Sequence, residues 1–465
     1  MMKRPQWIIT TLAASVLAAC SMAPSYERPV APVAQSWKAA GAGEYNAAEL
    51  GWREYFAEER LQRLITLALE NNRDLRVATA NIDKARAQYQ VQRAAQLPAI
   101  NATGGESATR TPAQLSTTGQ DRVTRQYSAG IGMASWELDF FGRIQSLKDQ
   151  ALAQYLATEE ARNSTQISLV AELANAWLTL AADRERQKFS QATLDAQRNT
   201  LNLAQRRFDV GTSSGLDLAQ ARAALEAARV DVARYAALVE QDLNALTLLA
   251  GGEVPAELLP VALPERVTQA AELPAGLPAE TLLKRPDVRA AEQQLIAANA
   301  NIGAARAAFF PRISLTASTG FASPSLEGLF SGDNRTWSFA PQISIPIFAG
   351  GANIANLDAA KASQRAQLAT YEKTLQSAFR DVADALAQRA TIGEQLEAQQ
   401  ALSQAYSDAL RLTQARYDKG VSNYVLVLDA QRSDYSAQQN LITTRLAREQ
   451  NRVALYKQLG GGLKE

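Results

Sequence analysis

The sequence predicts a mainly helical protein with a smaller set of membrane-type β-strands, built twice from one unit. Three observations predict it. Residues recur at constant spacing: Asp74 and Arg76 as Asp287 and Arg289, and Pro98, Ile100 and Thr103 as Pro311, Ile313 and Thr316, all 213 apart. Arg207, Asp209 and Gly211 recur as Arg416, Asp418 and Gly420, 209 apart, so a four-residue length difference falls between about Gly105 and Gly142, where a surface loop is expected. Residues 143–208 hold neither Gly nor Pro, and 352–417 hold no Pro and only Gly393; as α-helix each stretch is about 100 Å long. Runs of alternating character complete the pattern, Ile313, Leu315, Ala317, Thr319 and Phe321 being one example.

In chain order, the first feature is a targeting segment over residues 1–19. Lys3 and Arg4 precede a short apolar run, and Leu17-Ala18-Ala19-Cys20 follows. Cys20 is the only cysteine and stands at the predicted cut, which resembles a bacterial lipoprotein signal. The other reading is an ordinary signal peptide with an incidental Cys. In the lipoprotein reading Cys20 carries an S-diacylglycerol and an N-acyl chain, anchoring the protein in outer-membrane lipid without spanning it. Ser21, where an Asp would mark inner-membrane retention, favours the outer membrane. Residues 20–58 form an extended, proline-spaced N-terminal segment, residues 59–252 the first repeat, 253–278 a proline-rich linker and 279–461 the second repeat.

Each repeat reads helix, β-hairpin, long helix, returning helix. The hairpins fall at about 98–140 and 311–348, and the helical hairpins at 143–250 and 352–459. Val170, Leu173, Trp177 and Leu180, and Leu368, Tyr371, Leu375, Ala378, Val382 and Ala385, keep the 3/4 spacing of a coiled-coil seam. Tyr127, Ala129, Ile131 and Met133 alternate with small or polar residues, as do Trp337, Phe339, Ile343, Ile345 and Ile347. This is the wall pattern of an outer-membrane barrel, the alternative being a sheet packed on the helices in water. Four strands cannot close a barrel in lipid, so closure requires an oligomer.

Composition removes other classes. With no histidine and only Cys20, neither a His/Cys metal site nor a triad with an imidazole base can be built, and no enzyme activity or cofactor is expected. Removing residues 1–19 leaves 46 basic against 47 acidic side chains, which gives no footprint for nucleic acid.

Several motifs resemble the TolC/OprM-type outer-membrane factors of tripartite efflux pumps. They are Gly51-Trp52-Arg53-Glu54-Tyr55-Phe56, Asn71-Asn72-Arg73-Asp74-Leu75, Trp136-Glu137-Leu138-Asp139, Ala304-Ala305-Arg306-Ala307-Ala308-Phe309-Phe310-Pro311 and Leu428-Asp429-Ala430-Gln431-Arg432. The resemblance implies a homotrimer with a 12-strand β-barrel on a 12-helix α-barrel and an equatorial belt formed by residues near 40–58, 253–285 and the C-terminus. It also implies two partners, a periplasmic membrane-fusion adaptor and an inner-membrane transporter of the resistance-nodulation-division (RND) class. The function implied is an exit duct for antibiotics and other toxic compounds. The alternatives are the duct of a type I-like protein secretion system and a coiled-coil lipoprotein that tethers envelope layers.

By motif position the resemblance places a periplasmic gate at the ends of the helical hairpins. Asp429 matches a ring acid, and Asp217 and Tyr417 match a linking pair. Taken alone, Asp429 is also compatible with a solvated helix acid, Asp217 with a charge serving a helix dipole, and Tyr417 with an ordinary coiled-coil residue. Ser422 stands where OprM-like members often carry Asp and TolC-like members a basic residue, so a less tightly held closed state is expected. Gly211-Thr212 and Gly420-Val421, at the matched helix breaks, are candidate adaptor contacts; the glycines could equally serve only the turn. The lipoprotein reading is tested directly: Cys20→Ser should abolish incorporation of labelled palmitate, and retained label would refute acylation at that residue.

Overall fold

A computed structural model describes residues 21–37, 50–268 and 279–464, so the signal segment 1–19, Cys20, residues 38–49 of the N-terminal segment and residues 269–278 of the linker lie outside the described residues. After a single helical turn at Trp52–Tyr55, the elements run α1 (Glu59–Asn71), α2 (Arg73–Ala94), β1 (Ile100–Thr111), β2 (Arg122–Leu138), α3 (Arg143–Asp209) and α4 (Gly215–Ala250). The second repeat supplies α5 (Pro286–Ala307), β3 (Arg312–Ser323), β4 (Arg335–Ser344), α6 (Ala352–Asp418) and α7 (Tyr424–Gln458). The two Pro-free stretches are thus single 67-residue helices. No described helix is long and apolar enough to cross a membrane. The chain divides into two compact units, one of residues up to 30, 81–158 and 290–371, the other of 31–80, 159–289 and 372–465.

Unit one contains an antiparallel sheet in the order β1-β2-β3-β4. Its register aligns one apolar face across all four strands: Ile100 opposes Met133, Met133 opposes Ala317, and Ala317 opposes Phe339. One interruption sits in β2, where Met133 pairs with Ala317 but Trp136 pairs with Leu315. The extra residue is a β-bulge, with Ser135 at φ 43° donating its backbone N–H to Thr316 Oγ1 at 3.2 Å. The bulge reverses the alternation, so Trp136 and Leu138 continue the face that Ile131 and Met133 began. One residue of the expected four-residue length difference lies at this bulge, and the surface loop expected between Gly105 and Gly142 is present at 112–121. Loops 112–121 and 324–334 are nearly equal, whereas β2 has 17 residues and β4 has 10. Ile345 and Ile347, expected to extend the last strand, fall beyond its end.

An N-terminal strap lies along α5 in the same unit. Glu292, with its side chain 7% exposed, accepts two bonds from Arg28, Nε–Oε1 at 2.6 Å and Nη2–Oε2 at 3.0 Å, and a third from the Tyr26 hydroxyl at 3.1 Å. Asn299 Nδ2 donates to the Pro24 carbonyl at 2.7 Å, and Arg306 to the Met22 carbonyl at 3.1 Å. Gly303 has no side chain because the strap occupies that space: a Cβ there would stand 2.6 Å from Ala23 N.

Unit two is ordered by the coiled-coil seam. Val170, Leu173, Trp177 and Leu180 are buried, as are Leu375, Ala378 and Val382. Trp177 Nε1 donates to the Leu258 carbonyl at 3.0 Å, and the Tyr55 ring stacks on Tyr456 with centroids 3.9 Å apart. Glu449 is fully buried and satisfied by Arg448, Arg452 and the Val267 N–H, which ties the described end of the linker to α7. The first helix of repeat one breaks at Asn72, whose side chain caps Leu75 N–H at 3.0 Å and donates to the Leu249 carbonyl at 2.9 Å.

The strap rests on one buried carboxylate. Losing a charge-assisted pair there costs about 1.5–3 kcal/mol, roughly a ten- to hundredfold rise in local opening. Arg28→Ala should therefore speed chymotrypsin cleavage at Tyr26 at least tenfold while leaving the rest of the digest unchanged. An unaltered cleavage rate would show that the pair does not hold the strap.

Candidate functional site: the ends of the helical hairpins

The two hairpin ends in unit two are built alike at their first half. Gly211 and Gly420 take φ of 73° and 74°. Thr212 N–H returns to the Arg207 carbonyl at 2.8 Å, and Val421 N–H to the Arg416 carbonyl at 2.9 Å, the six-to-one bond of a Schellman stop. A Cβ at either glycine would meet nothing within 4 Å, so the left-handed backbone rather than crowding demands glycine there. Around these turns Val210, Leu216, Val421 and Leu426 are 51–73% exposed, leaving an apolar surface at the tips.

The second halves differ. Helix α4 opens with a capping box: Asp217 N–H donates to Ser214 Oγ and Ser214 N–H donates to Asp217 Oδ2, both at 3.2 Å. The Ser213 hydroxyl adds a bond to the same Oδ2 at 3.0 Å. Helix α7 opens with the simpler Asn423 cap, its Oδ1 accepting from Leu426 N–H at 3.3 Å. Partial burial pushes the Asp217 carboxyl up, and the bonds from Ser214 and Ser213 outweigh it, so its pKa lies below the ordinary carboxylate value.

An aromatic and cationic stack lies between the hairpins. Arg207 stands 5.1 Å over the Tyr417 ring, and Tyr417 lies 5.5 Å from Tyr424. Tyr424, Val427 and Leu428 form a buried cluster with Ala204 and Ala221, against which Leu201, Leu218 and Tyr417 pack. That cluster fixes the rotation of α7 and leaves Asp429 exposed on the other side, where Arg432 lies 3.7 Å away along the helix. The Tyr424 hydroxyl and Ser422 Oγ are buried with no hydrogen-bond partner among the described residues. Burial, then the nearby Tyr417 and Asp217, push the Tyr424 phenol up to about 12.

The structure therefore brings Asp217, Tyr417 and Ser422 to one neighbourhood, but no hydrogen bond joins Asp217 to Tyr417 among the described residues. Asp217 serves its own turn, and Tyr417 is held by rings and a guanidinium. Asp429 is on the adjoining helix, and Gly211-Thr212 and Gly420-Val421 form the turns themselves. Sequence reasoning missed Arg207 and Tyr424. Arg207 was visible as the repeat partner of Arg416, and Ser214-x-x-Asp217 as a capping-box pattern; nothing in the sequence marked Tyr424.

The family described as "Outer membrane efflux protein" matches residues 64–252 and 277–461. Two proteins of Pseudomonas putida, the antibiotic efflux pump outer membrane protein ArpC and the toluene efflux pump outer membrane protein TtgC, are each 50% identical over 456 residues, covering 97% of this chain and 94% of theirs. Among solved structures, the open state of the Neisseria gonorrhoeae MtrE outer membrane channel is 42% identical with a TM-score of 0.87, covering 96% of this chain and 99% of that one.

The capping box carries a pH dependence. A carboxylate whose folded pKa is depressed stabilises while charged; that contribution is present above its unfolded value near pH 4 and lost as pH falls through the folded value. Hydrogen exchange at amides 214–218, corrected for intrinsic rate, should thus quicken between pH 5 and pH 3, by up to about fivefold for an N-cap worth ~1 kcal/mol. Asp217→Ala should exchange quickly throughout with no such step. A wild type without the step would show that the box contributes nothing.

Proposed function

Since the chain belongs to the outer membrane efflux protein family, we propose that three copies close one duct, the outer-membrane exit of a tripartite RND-type pump for antibiotics and other small toxic compounds. The chain is an outer-membrane efflux channel protein, and the efflux names of its relatives favour this reading over protein secretion. The observation that supports closure by several copies is the open-edged sheet, with one apolar face continuous across four strands and both outer strands unpaired among the described residues, and the family resemblance supplies the number three. Three such sheets give twelve strands, and the hairpins give twelve helical arms.

Acylation of Cys20 anchors the chain in outer-membrane lipid. The strap supports this reading, because Met22, two residues on, is held by Arg306 in the last turn of α5, five residues before β3 begins. An extended chain places Cys20 within about 7 Å of Met22, so the acyl chains enter lipid beside the start of the strand.

The gate sits at the hairpin ends. Three exposed Asp429 carboxylates around an axis make a constriction with a negative field, which favours cations. Tyr417, held by Arg207 and Tyr424, and Asp217, held by its capping box, fix the helices that carry the ring. Ser422 contributes no charge to it. The apolar tips around Gly211-Thr212 and Gly420-Val421 are the surface a periplasmic adaptor meets, and that adaptor links the duct to the inner-membrane transporter. No catalytic step enters this account.

In a strain lacking other ducts of this kind, deleting the gene should raise accumulation of a fluorescent efflux substrate, and wild-type protein should restore export. In planar bilayers Asp429→Ala should lower cation preference and raise closed-state conductance. Unchanged dye accumulation would sink the duct, whereas unchanged conductance would sink only the ring.

A further inference from the structure

Unit two holds a cavity of 410 Å³ lined by α3, α4, α6 and α7 that the duct reading does not use. Along α3 its lining runs from Phe189 to Gln197, about 12 Å of helix. Ala196 and Ala227 supply methyl-lined wall, and Phe189 stacks on Tyr435 with centroids 5.3 Å apart and planes 16° from parallel. Two carboxylates, Asp231 and Asp434, belong to the lining. Asp231 has Arg234 at 2.9 Å, whereas Asp434 has the Ser407 hydroxyl at 2.5 Å and no cation in ion-pair range among the described residues. Among the described residues Arg432 is the one cation in the lining, and its guanidinium lies 3.7 Å from Asp429. Gln197 is 7% exposed; its amide donates to Gln431 at 3.0 Å, and its Oε1 has no partner among the described residues.

We propose that this cavity binds a small, flat organic cation bearing N–H donors. Its volume lies in the range of small-molecule sites, roughly 300–1,000 Å³. Methyl walls and a stacked aromatic pair suit a flat apolar body, and aromatic faces attract cations. Asp434 lacks a compensating positive charge, and a ligand N–H and its charge supply one. A helix from a protein partner suits the site less well. With side chains a helix is about 10–12 Å thick and docks along several turns, more than this lining offers. The lining reaches Leu428 and Arg432, which flank Asp429, but the site requires only that unit two be folded and not that Asp429 form a ring.

The test is a titration of proflavine, a planar diamino cation, into the purified full-length protein, followed by fluorescence polarisation. Saturable binding with Kd below about 100 μM is expected. Ala227→Leu, made at an exposed residue so that the helices still pack, should weaken binding at least tenfold, and Asp434→Asn about tenfold. Acridine, which has the same flat frame without amino groups and is largely uncharged at pH 7.5, should bind at least tenfold more weakly. Circular dichroism and oligomer size confirm that the variants are folded. Non-saturable binding, or binding indifferent to both substitutions, overturns the proposal. So does a result in which Ala227→Leu leaves proflavine binding intact but abolishes capture of the periplasmic adaptor, since the cavity would then be a helix-docking surface. None of these outcomes alters dye export in the deletion strain, so the cavity and the duct fail or survive separately.

Discussion

A sheet in lipid cannot end in open edges, and the rest of this molecule is arranged around that constraint. Among the described residues β1 pairs only with β2, and β4 only with β3, so each outer strand has a row of backbone donors and acceptors with no partner there. In water such groups are solvated. In hydrocarbon each costs several kcal/mol, far beyond what a domain's marginal stability can absorb. A single copy therefore has no acceptable state in the membrane, and insertion is coupled to assembly. The duplication follows the same logic. Each repeat contributes one β-hairpin and one helical hairpin, so whatever number of copies closes the sheet also sets the number of helical arms.

Duplication supplies equivalent scaffolds, and function requires that they differ. The two hairpin ends share the Schellman stop, with matched glycines and matched bonds to Arg207 and Arg416. They diverge on the return helix, where one has Ser213, Ser214 and Asp217 in a closed set of hydrogen bonds and the other has only Asn423. The satisfied side is the stiffer one. On the other side Tyr424 and Ser422 carry buried hydroxyls without partners, each a local cost of about 1–3 kcal/mol that a rearrangement could recover. A turn with one firm and one under-satisfied half is suited to a gate, because the two halves need not move by the same amount.

How much of this was legible in the sequence depended on the range of the signal. Long helices announce themselves through the absence of Gly and Pro over 66 residues, and the fold class with its two copies followed from that and from the constant offsets. The sheet face was legible as far as Met133; beyond it the bulge at Ser135 changes parity, and nothing local marks it. A loop does lie between Gly105 and Gly142, at 112–121, but one of the four extra residues is the bulge in β2, since an offset gives the size of an insertion and not its position. At the candidate site, residues within one turn could be inferred, as with Gly420 and its left-handed φ. The Arg207–Tyr417–Tyr424 stack could not, because it joins residues 210 positions apart whose pairing is set by the packing of separate helices. Gln197, Asp231 and Asp434 were unreadable for the same reason.

Two buried carboxylates show how segments without regular secondary structure are held. Glu292 has every acceptor position engaged by Arg28 and Tyr26, and Glu449 is closed by Arg448, Arg452 and a backbone N–H. Both fix segments with no regular secondary structure of their own, the strap and the end of the linker, which would otherwise have little to oppose their conformational entropy. Both carboxylates are buried while their arginines reach solvent, so removing a guanidinium leaves a buried negative charge unpaired, the more costly change. Unpartnered buried polar atoms are not confined to one region of the described residues: they occur at Ser422 and Tyr424 at the hairpin ends and at Gln197 in the cavity wall, and equally at Trp52, Trp136, Ser146 and Tyr371. What sets Glu292 and Glu449 apart is that each joins an irregular segment to a helix, so that one side chain fixes a stretch of backbone that makes no ladder of its own.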